Sequence, residues 1–222
     1  MARKTQEDAL VTRERILDAA VIRFVEEGVS RTTLADIARQ AGVTRGAIYW
    51  HFEDKVDLFA AMIERLGERL ITPLLFRSED QAVWIAENPL GFIRACGREF
   101  FAKLASDQNL LHIFEILWHK CEYVGDIAVL RNKCLEEDEN RIVMLQQMFM
   151  RAKEEGQISA NPRQAAIGLV SLINGLIFNW TKNRNMFSMP EDAFRIIDLF
   201  FRGLGARSKE ENGIEEEVVA YA

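Results

Sequence analysis

From Ile16 to Phe52 the apolar residues fall at helical spacing, and two glycines cut the series into short pieces. Ile16, Leu17, Ala20 and Phe24 occupy i, i+1, i+4 and i+8, one face of a helix over about residues 8–27. Gly28 stops it. Thr33 opens a second helix, with Asp36 three residues on as an aspartate variant of the capping box. Leu34, Ile37 and Ala38 form its apolar face, and Gly42 permits a tight turn. Thr44 caps a third, very short helix, and Asp54 caps a fourth that carries Leu58, Phe59, Met62 and Leu66. Helices this short are stable only through a shared core. The constraint is therefore an all-α chain that begins with a small helical unit and continues into a long helix.

Strand signals are nearly absent from the rest. Helices are expected near 89–105, 107–122, 127–155, 162–181 and 190–206, three of them starting at Asn88-Pro89, Asn161-Pro162 and Met189-Pro190. There is no internal repeat. With 222 residues and 49% apolar composition the chain can bury a substantial core. No apolar run reaches the ~18 residues of a membrane helix. The start, MARKTQEDAL, lacks a signal peptide's apolar stretch. A cytoplasmic location and no membrane partner are expected. Cys96, Cys121 and Cys134 are odd in number and form no CxxC, which fits reduced thiols, with redox sensing as the alternative. His119 and Cys121 stand two apart and face different ways on a helix, so no metal or cofactor is expected.

The segment TRGAIYWHFEDK, Thr44 to Lys55, places Tyr49, Trp50 and His51 in a row. At about 100° per residue, Arg45, Gly46, Tyr49 and Trp50 share one arc, while Ile48 and Phe52 lie beside it and close a core with Leu34, Ile37 and Val43. The aromatic face is left pointing outward. Helix, AGVT turn, short helix is a helix-turn-helix, whose second helix enters the DNA major groove. Arg45 then suits the O6 and N7 acceptors of guanine, and Gly46 lets the backbone come close. Tyr49 offers a ring to a thymine methyl and a hydroxyl to phosphate. His51 and Lys55 are placed for phosphate, and the helix starts at Thr33 and Asp54 attract anions. The net charge of −6 does not exclude DNA, because residues 1–52 hold eight Lys/Arg against seven Asp/Glu. Two other classes compete. One is a helical protein-binding module using the aromatic face. The other is an enzyme, which no nucleophile–base pair, metal cluster or phosphate loop supports.

RERILDAAVIRFVEEGVSRTTLADIARQAGVTRGAIYWHFEDKVDLFAAMI resembles the DNA-binding domain of the TetR family of bacterial transcriptional regulators, from about Thr12 to Met62. It carries the spaced T-T-L, the I-A-x-x-A-G-V and the Y-W-H-F-x-x-K signature. MARKT and EILWHKCEYVGDIAV, Glu115 to Val129, resemble the AcrR and TtgR type repressors of multidrug efflux operons. The resemblance implies a helix-turn-helix domain over 10–70 with its motif at 33–52. A helical ligand-binding and dimerisation domain over 71–207 and an acidic tail over 208–222 follow. It implies DNA contacts at Thr33, Thr44, Arg45, Gly46, Ala47, Tyr49, Trp50, His51 and Lys55, with base specificity from Thr44 to Ala47. Trp50 has a second reading, as packing between the recognition helix and the first helix.

The segment from Arg163 to Trp180 is apolar around nearly its whole circumference, and Phe194 to Leu204 is nearly as apolar. Helices like these are buried on two sides. They are the expected homodimer interface, near 162–181 and 190–206, with two recognition helices presented to an inverted-repeat, double-stranded operator. A cavity for a hydrophobic small-molecule inducer is expected among helices four to eight. Its candidates are Ile63, Leu66, Phe92, Cys96, Phe100, Phe114, Leu117, Trp118, Asn174, Ile177 and Phe178, with Asn174 as the polar ligand-facing residue. Glu115 and Glu122 are candidates to balance a cationic ligand. Gly67, mid-helix between Arg65 and Arg69, departs from the pattern and points to an altered ligand range. The function expected is an operator-bound repressor released by hydrophobic or cationic compounds, controlling an efflux operon. The alternative within the family is another pathway with a metabolite inducer.

Overall fold

The computed structural model describes residues 2–71 and 85–205. Among these are nine α-helices and no strand. The acidic tail and the polar stretch Ser78 to Gln81 lie outside the described residues. Helix α1 spans Ala2–Glu27, longer than the apolar spacing predicts, and Gln6, Glu7, Asp8 and Leu10 in its early turns are exposed. Ile16, Leu17, Ala20 and Phe24 are fully buried, as their spacing requires. Gly28 ends the helix at φ +82°, a left-handed conformation that only glycine adopts freely.

Helix α2, Leu34–Ala41, starts on the capping box read from the sequence. Thr33 Oγ1 accepts the Asp36 N–H at 3.2 Å, and Asp36 Oδ2 accepts the Thr33 N–H at 3.2 Å. Thr33→Ala removes the hydroxyl half of this exchange and keeps the backbone N–H that donates to Asp36. It is expected to lower stability by about 1 kcal/mol in chemical denaturation. Gly42, at φ +65°, turns the chain into α3, Arg45–His51, whose N–H of Ala47 is capped by Thr44 Oγ1 at 3.1 Å. Arg15 Nη2 reaches the same turn and donates to the Ala41 carbonyl at 2.7 Å. Ile48 and Phe52 are buried beneath α3, joining Ile37 and Leu34. Helix α4 spans Lys55–Leu66, starts with Asp54 accepting the Asp57 N–H at 2.8 Å, and widens into a π-helical turn at Gly67–Ile71.

Helix α5 is Pro89–Ser106, and α6 is Gln108–Glu115 with a π-helical turn over Ile116–Lys120. Helices α7, Ala128–Glu154, α8, Pro162–Lys182, and α9, Glu191–Gly203, complete the bundle. Asn88 and Asn161 cap α5 and α8 ahead of first-turn prolines. The third proline signal works differently. Pro190 is the N-cap of α9 and supplies no side-chain cap; Asp192 Oδ2 in the first turn reaches back instead and accepts the N–H and hydroxyl of Ser188. Helix α8 is long and apolar enough, by length and composition, to cross a membrane, although its sequence holds no uninterrupted apolar run of that length. One face of it, Ala166, Leu169, Ile177 and Trp180 included, is buried in the bundle. A single apolar core runs from α1 through α4 and α6 to α8 and α9. The loop after α1 joins it directly, through the Val29 N–H donating to the Lys120 carbonyl at 3.1 Å.

Candidate nucleic-acid interface and ligand cavity

The short helix α3 buries Ile48 and presents the rest. Thr44, Arg45, Gly46 and Tyr49 are exposed, and Ala47 is half-buried with its N–H on the Thr44 cap. Trp50 is 72% exposed, which removes its reading as a packing residue against α1. It meets only the edge of His51, ring centroids 4.5 Å apart. The Arg45 guanidinium lies 5.8 Å from the Tyr49 ring centroid, so both sit on one outward face. A Cβ built on Gly46 would meet nothing closer than Thr44 Oγ1 at 3.9 Å. Packing within the chain therefore does not demand a glycine there. Thr33 is exposed, with its hydroxyl committed to the α2 cap.

Burial, and then Arg13, hold the His51 imidazole below its ordinary pKa. It is neutral at pH 7 and acts as a hydrogen-bonding ring rather than a charge. The sign follows from linkage. The unfolded chain takes up this proton more readily, so His51 favours folding above about pH 6.5, and that contribution is lost as pH falls through the lowered folded pKa. Melting temperature followed across that window in wild type and His51→Gln should show a shallower acid loss in the variant.

Lys55 has a different occupation from the one its position suggests. Its ammonium donates to the carbonyls of Val29, at 2.8 Å, Thr32, at 3.1 Å, and Ser30, at 3.3 Å. An ammonium has three protons, and all three are spent on the α1–α2 loop. Burial lowers its pKa. In this structure Lys55 is a clasp on the carbonyls beyond α1, not a free phosphate contact.

Behind the recognition unit, α4 to α9 line a partly open cavity of about 230 Å³. Ile63 and Leu66 face it from α4, with Gly67 beside them. Phe92, Cys96 and Phe100 come from α5, and Phe114, Leu117 and Trp118 from α6. Asn174 and Ile177 come from α8. The aromatic wall is continuous, with Phe100–Phe114 centroids at 6.4 Å and Phe114–Trp118 at 5.2 Å. Phe178 is not on the lining. It is 39% exposed and packs against His119 from outside, because it lies one residue around the helix from Ile177. Glu115 is half-buried off the lining and Glu122 is exposed.

The cavity's acids come instead from α7, which the sequence reading left without a candidate. Cys134, Glu137, Asp138, Arg141, Leu145 and Met148 line it. Their i, i+3, i+4, i+7 spacing was the available signal. Asp138 is paired with Arg141. Glu137 forms no ion pair among the described residues, and the neighbouring Lys133 is bonded to Glu64 at 2.8 Å. Tyr123, at φ +47°, also lines the cavity and shares a hydrogen bond with Cys134. Burial raises the pKa of that phenol and of the Cys121 and Cys134 thiols, so all three are neutral and the thiols are poor nucleophiles. None of the three cysteines is in a disulfide.

Residues 16–62 match the model of bacterial regulatory proteins of the tetR family, and residues 88–205 match the C-terminal region of MAATS-type transcriptional repressors. The chain belongs to the TetR family. This TetR-family chain is 39% identical to the HTH-type transcriptional regulator AcrR of Shigella flexneri, covering 87% of this chain and 89% of that one. Its fold matches the crystal structure of NalD, the secondary repressor of the MexAB-OprM multidrug efflux pump in Pseudomonas aeruginosa. That match has TM-score 0.76 and 31% identity over 91% of this chain and 99% of NalD. It also matches a triclosan complex of SmeT, the repressor of the Stenotrophomonas maltophilia pump SmeDEF, with TM-score 0.78 and 29% identity. There the coverage is 90% and 93%. Membership makes this TetR-family protein a DNA-binding transcriptional regulator rather than an enzyme.

Proposed function

We propose that this regulator represses a multidrug efflux operon from the cytoplasm and leaves its operator when a hydrophobic or cationic compound fills the cavity. One observation carries the reading. Helix α4 starts one residue after the Asp54 cap that follows the recognition helix, and eight residues later it forms a wall of the aromatic cavity. Compounds in the cavity and DNA at α3 therefore act on the same helix. Arg45 and Tyr49 would read bases, Trp50 and His51 would lie against the backbone, and the bare Gly46 would admit the helix to the groove. A ligand that prefers the DNA-incompetent arrangement weakens operator binding by the same factor that DNA weakens ligand binding.

The regulator would act as a homodimer through α8 and α9. Ile167 and Leu199 are 41% and 65% exposed, and a Cβ on Gly175 would meet nothing within 4 Å, so the outer face of this pair is apolar and open. A twofold axis there would set the recognition helices ~34 Å apart on an inverted repeat.

The test is fluorescence anisotropy on DNA from upstream of the protein's own gene, with and without triclosan and tetraphenylphosphonium. Salt-sensitive binding reversed by either compound is the expected result. Binding that neither compound alters would point to a metabolite inducer instead. Glu137→Gln separates the two chemistries. Losing the unpaired carboxylate should weaken release by tetraphenylphosphonium roughly three- to tenfold, and leave triclosan's effect within about twofold.

A further inference from the structure

One carboxylate oxygen joins three helices where the DNA-binding unit meets the cavity. Asp18 Oδ1, on α1, accepts Arg65 Nη1 from α4 at 2.7 Å and Asn109 Nδ2 from α6 at 2.9 Å. The same Arg65 nitrogen reaches Glu14 Oε2 at 3.2 Å. Both partner helices are cavity walls. Ile63 and Leu66 flank Arg65 on α4, and α6 supplies Phe114, Leu117 and Trp118. From Asp18 the connection runs on through α1, whose Arg15 holds the Ala41 carbonyl in the turn before the recognition helix.

The junction is closed but not deep in free energy. Arg65 is only 4% exposed, and its Nε and Nη2 find no acceptor among the described residues. Burying a guanidinium with unpaired donors is unfavourable. Asp18 and Glu14 are both exposed, so water screens the carboxylate side of each ion pair. A contact with these properties is poorly suited to holding the fold together. It is well suited to being made in one arrangement and broken in another.

We infer that Asp18 is the positioning residue through which cavity occupancy sets the orientation of the DNA-binding unit. Ligand that displaces α4 or α6 pulls Arg65 or Asn109 off Asp18 Oδ1, and α1 carries the turn before the recognition helix with it. This rests on the ligand-released reading above. Here α4 is not the sole route. α6 shares the same oxygen and holds the α1–α2 loop at its other end through the Lys120 carbonyl.

The experiment compares wild type with Asp18→Asn and Asn109→Ala. Three quantities are read: operator affinity with and without saturating triclosan, triclosan affinity without DNA, and melting temperature. The expected result is that triclosan affinity and melting stay at wild-type values while the ratio of operator affinities falls roughly fivefold or more. If both variants keep the wild-type ratio, Asp18 is not the coupling residue, and the ligand-released reading stands. A ratio lost only in step with triclosan binding or melting makes the contact merely structural and also overturns the inference. Wild type that neither triclosan nor tetraphenylphosphonium releases would remove the drug-released reading in favour of a metabolite inducer, and the inference drawn from these compounds with it.

Discussion

Arg45→Ala is expected to weaken operator binding by about 1–3 kcal/mol per half-site and to leave the melting temperature unchanged. The two halves of the expectation have one cause. Arg45 is exposed at the first position of α3, and its guanidinium lies over the ring of Tyr49, itself exposed. Its loss removes no buried packing. In the groove, the same fork would donate twice to one guanine, and a lysine cannot reproduce that geometry. Arg45→Lys should therefore keep most of the non-specific, salt-dependent binding and lose discrimination at one base position. Anisotropy titrations on the operator and on a scrambled duplex, at two salt concentrations, separate these terms. Unchanged operator affinity in Arg45→Ala would remove Arg45 from the recognition surface.

Lys55→Met is expected to do the opposite, lowering stability by about 2 kcal/mol and weakening operator binding without changing its salt slope. The methionine keeps the aliphatic stem but leaves the carbonyls of Val29, Ser30 and Thr32 without their shared donor. That loop ends at Thr33, the cap of α2, so its loosening disorders the helix-turn-helix from behind. A true phosphate contact would behave differently, reducing the salt slope by about one per protomer with little change in melting. Denaturant titration together with the slope of log affinity against log salt decides between clasp and contact.

Lys55 also marks where sequence reading stops. Its place in the Y-W-H-F-x-x-K signature suggests phosphate, because four residues past the end of the recognition helix is near the backbone of DNA. What the local pattern cannot contain is the loop about 25 residues upstream whose carbonyls accept its ammonium. Trp50 shows the reverse case. Local periodicity alone puts it on the outward arc, and it is exposed. The cavity follows the same division. Aromatics on α5 and α6 and Asn174 on α8 were legible because an apolar helix with one polar residue advertises an inward face. Glu137 and Arg141 were not, because charged residues on a long helix usually mean a solvated one, and only the packing of α7 against α5 and α8 turns them inward.

Local sequence carries the helices and most of their caps, though not the early start of α1 or the π-helical turns that end α4 and α6. Gly28, Gly42 and the caps at Thr33, Thr44, Asp54, Asn88 and Asn161 act within a few residues of themselves, so a local pattern carries their meaning. It determined the outward face of α3 for the same reason. Tertiary structure alone decided which charges are spent and which remain available: Lys55 on three carbonyls, Arg65 and Asn109 on one oxygen of Asp18, Glu137 unpaired at the cavity. Those partners lie tens of residues apart in the chain. Long polar side chains can take any partner within reach, and only the packed helices say which partner that is.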